Sequence, residues 1–244
     1  MRALRPIAFL LAAAALGALA ASGPGLRFGV WPLHVSFLLF AWAAYLGLAA
    51  ALLALVVLAL PKTRRNGVAA PALALIVGLA VFYVPFQFQR TVRSVPSIND
   101  ITTDTAQPPQ FMTAAHPYPG ADFARRQRAA YPDLAPATLR MAPAEAFKRA
   151  LESAEAMGWE VIGQDAQGGR IEAVDTTRWF GFKDDVAIRV RPAEGGSRVD
   201  VRSRSRVGGN DLGTNARRIR AYLERLQAFG GTLQPVEGPR KEGQ

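Results

Sequence analysis

Arginines alternate along two stretches of the C-terminal half of the chain, a spacing that could place them on one face of a β-sheet. The first stretch holds Arg189 and Arg191, and the second holds Arg202, Arg204 and Arg206. Successive side chains of a strand point to opposite faces, so each set shares one face. Guanidinium groups suit phosphate and carboxylate ligands, which makes an anion-binding site one interpretation. A solvated face with cross-strand ion pairs is the other.

A run of three aromatic residues around a glycine, followed closely by two adjacent carboxylates, is the second cluster that could do chemistry. Trp179 and Phe182 could line a ligand pocket in which Asp184 and Asp185 supply polar groups. The alternative is a hairpin loop or bulge whose aromatic side chains complete the core. Asp184 and Asp185, together with Asp104, are also the candidates for acid–base catalysis.

Several kinds of site are poorly represented in the sequence. The chain has no cysteine, which excludes disulfides, thiolate catalysis and cysteine-ligated metals. Its two histidines are His34 and His116, so a catalytic triad would rest on His116 alone, and no Gly-x-Ser-x-Gly motif is present. The sequence also lacks an Asp-x-Asp-x-Asp-Gly calcium loop. We therefore expect neither a metal site nor a cofactor.

The distribution of charge divides the chain in two. The first acidic residue is Asp100, and residues 1–99 carry eight Lys or Arg. Of the formal net charge of +10, residues 1–99 thus supply +8, and residues 100–244 supply +2 from 21 basic and 19 acidic side chains. The excess positive charge flanks apolar runs, where it sets membrane topology. For this reason we expect no nucleic-acid partner, although the overall charge is strongly basic.

Residues 1–93 have the pattern of a membrane anchor. Three uncharged apolar runs at about 7–25, 35–60 and 67–86 have lengths close to what a bilayer core requires of a helix, so the lipid bilayer is an expected partner. The first run also fits a signal peptide with a small-residue cleavage pattern, so a retained helix and a cleaved signal are both open. No charged residue lies inside a span, which argues against a transport path.

Basic residues beside the spans predict their orientation. Lys62, Arg64 and Arg65 lie in the connector between the second and third spans, and Arg2 and Arg5 precede the first. The positive-inside rule places both regions in the cytoplasm. The third span then exports the rest of the chain. The prediction is a multi-pass protein of the cell inner membrane with a periplasmic C-terminal domain.

The exported part is predicted to be an α+β domain. Residues 94–140 form a Pro-rich, largely extended segment in which Ala121–Ala130 could make one short helix. Residues 141–231 form the α+β core, and residues 232–244 a disordered tail. One helix begins at Pro143, and an amphipathic helix covers about Asp211–Phe229.

Four strand-like segments lie between these two helices. They are Trp159–Gln164, Arg170–Asp175, Asp185–Arg191 and Arg198–Val207. The expected architecture is a two-layer domain in which two helices cover one face of a four-stranded antiparallel sheet and the other face stays open.

The glycines at 195 and 196 predict a hairpin between the last two strands. If Val190 pairs with Val199, then Arg189 lies opposite Asp200 on the other face of the sheet.

Several stretches of this domain resemble the family called domain of unknown function 1499. They are Ile101–Asp104 with Pro108–Phe111, Gly169–Ala173, Trp179–Val186 with Ile188–Arg191, Gly196–Ser203, Ser205–Gly208, Asp211–Gly213 and Asn215–Ala216. The resemblance covers about residues 97–229 and leaves the membrane spans outside. It implies one domain of a family that is often membrane-linked, and it implies no reaction and no catalytic residues.

The leading functional hypothesis is a membrane-anchored protein whose exported domain binds an anionic envelope ligand, such as a lipid head group or an envelope polymer, or a protein partner. One alternative is a periplasmic hydrolase-like enzyme that acts on a lipid or a glycan. Another is a structural subunit whose spans contact a membrane protein partner in a larger complex.

Overall fold

The computed structural model describes residues 3–61, 67–228 and 231–233. The chain divides into two compact units. The helical unit comprises Met1–Ser94 together with the short segment Thr177–Gly181, and the sheet unit comprises Val95–Thr176 and Phe182–Gln244.

The helical unit contains three long apolar helices, α1 (Leu4–Arg27), α2 (Leu33–Ala59) and α3 (Ala69–Ser94). Each is long and apolar enough to cross a membrane, as the sequence predicts. The basic connector at residues 62–66 lies outside the described residues, so the predicted orientation continues to rest on the sequence. A helix over the first run agrees with a retained span and with a signal peptide alike.

Small side chains form the contacts between these helices. Five buried alanines from all three helices cluster together; they are Ala8, Ala12, Ala50, Ala54 and Ala74. At Gly47 and Gly78 the backbones of α2 and α3 approach so closely that a Cβ on Gly78 would lie 2.6 Å from the Gly47 carbonyl oxygen. Lipid tails are as apolar as leucine, so helices in a membrane associate through such close packing of small residues.

The sheet unit combines one sheet with three helices. The helices are α4 (Ala121–Ala130), α5 (Pro143–Ala156) and α6 (Thr214–Gln227). The strands are β1 (Asp100–Thr102), β2 (Ala137–Leu139), β3 (Glu160–Asp165), β4 (Arg170–Thr176), β5 (Lys183–Ala193), β6 (Gly196–Ser205) and β7 (Gly231–Leu233). Six strands follow the antiparallel order β3-β4-β5-β6-β2-β7, and β1 also pairs with β6.

The α+β class is confirmed, but four strands and two helices are too few. The four predicted strands correspond to β3–β6. Two of the additional strands, β1 and β2, lie in the Pro-rich segment, and β7 includes the first two residues of the predicted tail; residues 234–244 lie outside the described chain. The additional strands have three residues each, too short to show a period of two in the sequence.

The predicted β5–β6 hairpin register is confirmed. Val190 pairs with Val199, Arg189 with Asp200, and Arg191 with Arg198. Gly195 supplies the turn residue with positive φ, at 72°. Since a slip of one residue would exchange the two faces of the strand, this register decides which side chains enter the core.

The core lies between the sheet and the helices α5 and α6. Apolar side chains at alternate positions of the strands, including Ile171, Ile188 and Val201, are almost fully buried there. Trp159 stacks on Tyr222 of α6 with ring centroids 5.1 Å apart, and the Tyr222 hydroxyl donates to a carbonyl of α5.

The opposite face of the sheet is not open, which corrects the two-layer expectation. The irregular chain between β1 and α4 packs across it, and Phe111 of that chain is buried. This coverage has no signature in the sequence, because an extended Pro-rich segment shows no hydrophobic period.

Candidate functional site

Charged side chains of the sheet hold the covering chain, the irregular segment 103–120 between β1 and α4, in place. Glu172 of β4 accepts hydrogen bonds from two successive backbone amides of that chain and from the Thr113 hydroxyl. Arg202 of β6 donates to the carbonyl oxygens of Pro109 and His116, at 3.2 and 2.9 Å. Buried polar groups of this kind require partners, and here the sheet and the covering chain satisfy each other.

Arg202 is fully buried, and its partners are protein atoms. Its Nε and Nη2 lie 2.8 and 2.7 Å from the two carboxylate oxygens of Asp100 in β1. The guanidinium also lies over the rings of Phe111 and Tyr118, at 4.8 and 5.5 Å. Burial, followed by the charge of Asp100, raises the pKa of the Tyr118 phenol to about 12. All three guanidinium nitrogens of Arg202 thus donate within the protein.

Arg189 and Arg191 belong to a network with a third arginine, Arg198. The three guanidinium groups surround the carboxylates of Asp104 and Asp200, with N–O distances between 2.9 and 3.5 Å. The Asp200 side chain is fully buried, and that of Asp104 is 11% exposed. Three positive charges therefore share two negative ones. Asp104, a candidate acid in the sequence, acts here as an acceptor that joins the covering chain to the sheet.

Asp184 and Asp185 do not meet at one site. On the helix side of the sheet, Arg218 of α6 donates to Asp184 at 2.5 Å and to Asp175 at 2.7 Å. On the other side, Asp185 accepts two hydrogen bonds from Arg206, at 2.9 and 2.7 Å. Adjacent residues of a strand point to opposite faces, so these two carboxylates cannot act as a pair.

A polar cleft of about 300 Å³ lies on the arginine-bearing face. Its lining residues come from the covering chain and from β5 and β6 together with the residue that follows; they are Thr113, Ala114, His116, Asp185, Arg204 and Arg206. Arg204 lies directly across from Asp185 in the β5–β6 register, yet the carboxylate bonds Arg206 instead. These hydrogen bonds are the main reason that the pKa of Arg206 is raised.

Arg204 is the distinctive cation of this cleft. Its half-buried guanidinium makes no hydrogen bond or ion pair with any residue that the structure describes. The imidazole of His116 packs edge-on against Phe111, at 5.7 Å between ring centroids. A planar guanidinium without a carboxylate, in a recess with hydroxyl and imidazole groups, can bind a phosphate or carboxylate in two-pronged fashion.

No metal centre emerges from the geometry. Within residues 3–61, 67–228 and 231–233, no three His, Cys, Asp or Glu side chains lie together in a group that could hold a metal ion. The carboxylates of the arginine-bearing face are instead bonded to arginines or to backbone amides.

The two aromatic candidates belong to different units. Trp179 is part of the Thr177–Gly181 segment of the helical unit, where its side chain is 46% exposed. Phe182 is the first residue of the chain after that segment and belongs to the sheet unit, where it is partly buried.

Sequence reasoning missed the part that the covering chain plays in the cleft. The sequence gives no reason to select Thr113, and it suggests His116 only as the histidine of a catalytic triad. Nothing in the local pattern could have placed either residue, because each reaches the cleft through contacts with strands about 60 to 90 residues away, such as Thr113 with Glu172. The excess of arginines over acidic residues on this face is the one feature of the sequence that points to the cleft.

Comparison with known proteins agrees with the resemblance seen in the sequence. The family model described as Protein of unknown function (DUF1499) matches residues 100–226, which is more than half of the chain. That range includes every residue of the polar cleft. No match was found among curated proteins. The chain therefore belongs to the DUF1499 family of proteins of unknown function.

Proposed function

We propose that this protein is a membrane-anchored binding protein whose sheet unit captures an anionic group in the cleft of Arg204 and Arg206. The observation that carries the proposal is Arg204, a half-buried cation that faces a polar recess without a carboxylate bonded to it. A cation withdrawn from water is unfavourable unless it is paired, so a ligand that supplies the missing charge gains affinity at this position.

The other arginines of the face make poor binding groups by comparison. Arg202 has no exposed surface, and Arg189 and Arg191 donate to Asp104 and Asp200. An external anion would have to displace these carboxylates, whereas Arg204 needs no displacement. Arg206 is 42% exposed and keeps contact with Asp185 while it forms the second wall of the cleft. The proposal therefore narrows the site from five arginines to two.

The ligand class is a phosphate or carboxylate group carried by a larger molecule. A volume of about 300 Å³ is at the lower end for ligand pockets, which suits a head group or a terminal sugar acid rather than a whole polymer. A lipid phosphate and an envelope polymer carboxylate share this chemistry. Binding of each can be measured separately.

We also propose that the sheet unit lies outside the cytoplasm. The support is the position of Lys62, Arg64 and Arg65 beside the spans and the three candidate membrane helices that precede the sheet unit. Packing of Ala8 and Ala12 of the first helix against the other two favours a retained span over a cleaved signal. Reporter fusions after residue 95 test the orientation. Activity of a reporter that works only in the cytoplasm would contradict it.

Substitution of Arg204 tests the binding site. The probes are inorganic phosphate and acetate, each compared with chloride at equal ionic strength, and the readout is the unfolding midpoint of the full chain in detergent micelles. A ligand that binds the folded state raises this midpoint. We expect phosphate, acetate or both to raise the midpoint of the wild type and to have no effect on Arg204→Gln. Arg225→Gln, a change of an exposed arginine on α6, should behave as the wild type does.

Two outcomes would contradict the anion site. One is a wild-type midpoint that responds to neither probe. The other is an equal response in Arg204→Gln and in the control. A response to phosphate alone would point to a lipid or nucleotide phosphate as the natural group, and a response to acetate alone would point to a polymer carboxylate.

The hydrolase alternative is not supported by the geometry. Of its three candidate carboxylates, Asp184 and Asp185 lie on opposite faces of β5, and Asp104 is bonded to arginines of the sheet. The structural-subunit alternative remains a proposal that a different measurement addresses. Co-purification of a defined membrane protein in mild detergent would support it.

A further inference from the structure

An apolar cavity of about 470 Å³ lies within the helical unit, apart from the polar cleft in its chemistry and in its residues. Its walls are almost entirely carbon and come from all three helices and from the Thr177–Gly181 segment; they are Leu19, Phe40, Val84, Phe88, Trp179 and Phe180. Its volume lies in the range of small-molecule pockets.

Aromatic side chains give this cavity a defined shape. The Phe180 ring lies edge-on to that of Phe40, with centroids 5.9 Å apart, and Phe40 lies edge-on to Phe88 at 5.3 Å. The Trp179 indole packs against the backbone of Gly23 so closely that a Cβ there would overlap it. A glycine at position 23 is thus required for the indole to reach this place, and the segment closes one side of the cavity.

The end of the helical unit at the cavity is positively charged and has no counter-charge of its own. Arg27, the last residue of α1, donates to the carbonyl oxygens of Thr177 and Arg178. The Arg178 side chain is exposed, and no partner for it is present among the residues that the structure describes. The helical unit contains no Asp or Glu, because every acidic residue lies at or after position 100 and the segment 177–181 has none.

These observations together identify the kind of molecule that fits. The exposed surfaces of α1, α2 and α3 are those of candidate membrane spans, so lipid tails are their natural neighbours. A cavity lined by carbon offers water too few hydrogen bonds to fill it. Arginines near a membrane surface attract anionic head groups, and a phosphate suits a guanidinium.

We propose that this cavity binds one acyl chain of an anionic phospholipid, with the head-group phosphate held by Arg27 and Arg178. The apolar walls select the chain, and the two arginines select the charge. Trp179 and Phe180 shape the site, so the aromatic segment between β4 and β5 acts as a lipid-binding element of the helical unit. This site is additional to the anion cleft of the sheet unit and does not depend on it.

Quenching of Trp179 fluorescence by brominated lipids tests the proposal. The full chain, with Phe at its other three tryptophans, is reconstituted in phosphatidylcholine vesicles that contain brominated phosphatidylglycerol. A parallel sample carries the same mole fraction of brominated phosphatidylcholine. We expect quenching of Trp179 to show that its site binds the anionic lipid about fivefold more strongly than the neutral one. This is the ratio that one arginine–head group contact of about 1 kcal/mol supplies.

Two variants separate the charge from the cavity. Arg178→Gln changes an exposed side chain and should remove most of the anionic preference, whereas Arg225→Gln in the sheet unit should keep it. Leu19→Phe fills the cavity and should lower quenching by both lipids. Leu16→Phe, at a residue of α1 that is 50% exposed and does not line the cavity, should leave quenching unchanged.

Equal quenching by the anionic and the neutral lipid in the wild type would overturn the proposal, and so would equal behaviour of Leu19→Phe and Leu16→Phe. A second measurement needs no variant and therefore holds even if a variant fails to fold. Lipids are extracted from the purified wild-type chain, and the amount of each head-group class is measured. An excess of anionic phospholipid over the host membrane supports the site, and a composition equal to that of the membrane contradicts it.

Discussion

Replacement of Asp100 by Asn should strongly destabilise the sheet unit, because it leaves Arg202 as a buried cation without a counter-ion. Both side chains of the pair are at most 2% exposed, and their two hydrogen bonds measure 2.7 and 2.8 Å. Removal of one partner of a buried ion pair typically costs about 3–5 kcal/mol. The carbonyl acceptors of Pro109 and His116 remain in the variant, and so do the rings that flank the guanidinium. We therefore expect the lower end, about 3 kcal/mol.

The assay is equilibrium unfolding of the full chain by urea in detergent micelles. Trp159 is buried in the core of the sheet unit and reports on it alone when the other three tryptophans are replaced by Phe. With an m value of about 2 kcal/mol per molar, a loss of about 3 kcal/mol lowers the urea midpoint by about 1.5 M. The matched control is Asp122→Asn. Its carboxylate is 64% exposed and pairs with Arg126 at 3.2 Å, so its loss should cost under about 1 kcal/mol.

A double substitution tests whether the cost arises from the pair itself. Asp100→Asn combined with Arg202→Met should cost less than the sum of the two single changes, by about 2 kcal/mol, because the second change removes the stranded charge. Additive costs would refute the reasoning. So would a midpoint for Asp100→Asn that falls no further than that of Asp122→Asn.

Two further predictions concern other buried contacts. Burial raises the pKa of Asp211 above its ordinary value of 3.8, although the carboxylate accepts hydrogen bonds from the amides of Gly213 and Asn215. The stability that Asp211 contributes is therefore present below its unfolded pKa and is lost as the pH rises through its folded pKa. The free energy of unfolding, measured with urea at pH 3 to 7, should show this loss in the wild type but not in Asp211→Asn. In the helical unit, Gly78→Ala should lower the thermal aggregation midpoint in detergent, since overpacking costs roughly 1–3 kcal/mol. Gly17→Ala is the control, because the added methyl group has open space around it and should not lower the midpoint. Equal midpoints for the two variants would show that the close approach of the helices is unimportant.

Local features of the sheet could be predicted because they depend on neighbouring residues. The β5–β6 register follows from alternating valines and a glycine turn, and this pattern predicts the observed pairing of Arg189 with Asp200. The start of α5 at Pro143 is likewise local, since proline is favoured in the first turn of a helix. The three apolar helices follow from a bilayer requirement that composition alone reveals.

The covering of the arginine-bearing face could not be predicted in the same way. Arg202 and Asp100 are 102 residues apart in the chain, and Arg189 and Asp104 are 85 apart. Which acid meets which arginine depends on the path of an irregular segment, and short extended pieces with prolines carry no periodic signal of that path. The anion-binding hypothesis drawn from the sequence therefore includes arginines that are bonded to the protein's own carboxylates, such as Arg189 and Arg202.

Charge balance explains why the two candidate sites differ in kind. Residues 100–244 contain 21 basic and 19 acidic side chains, so most cations of the sheet unit can find a carboxylate within the fold, and Arg204 is distinctive because it has none bonded to it. The helical unit has no carboxylate side chain, so none of its basic side chains can form an ion pair with an acidic side chain of the same unit. At the sheet, the inference of an anionic ligand thus depends on one arginine, Arg204. At the apolar cavity it is general, because the unit that forms the cavity cannot neutralise Arg27 or Arg178 with any side chain of its own.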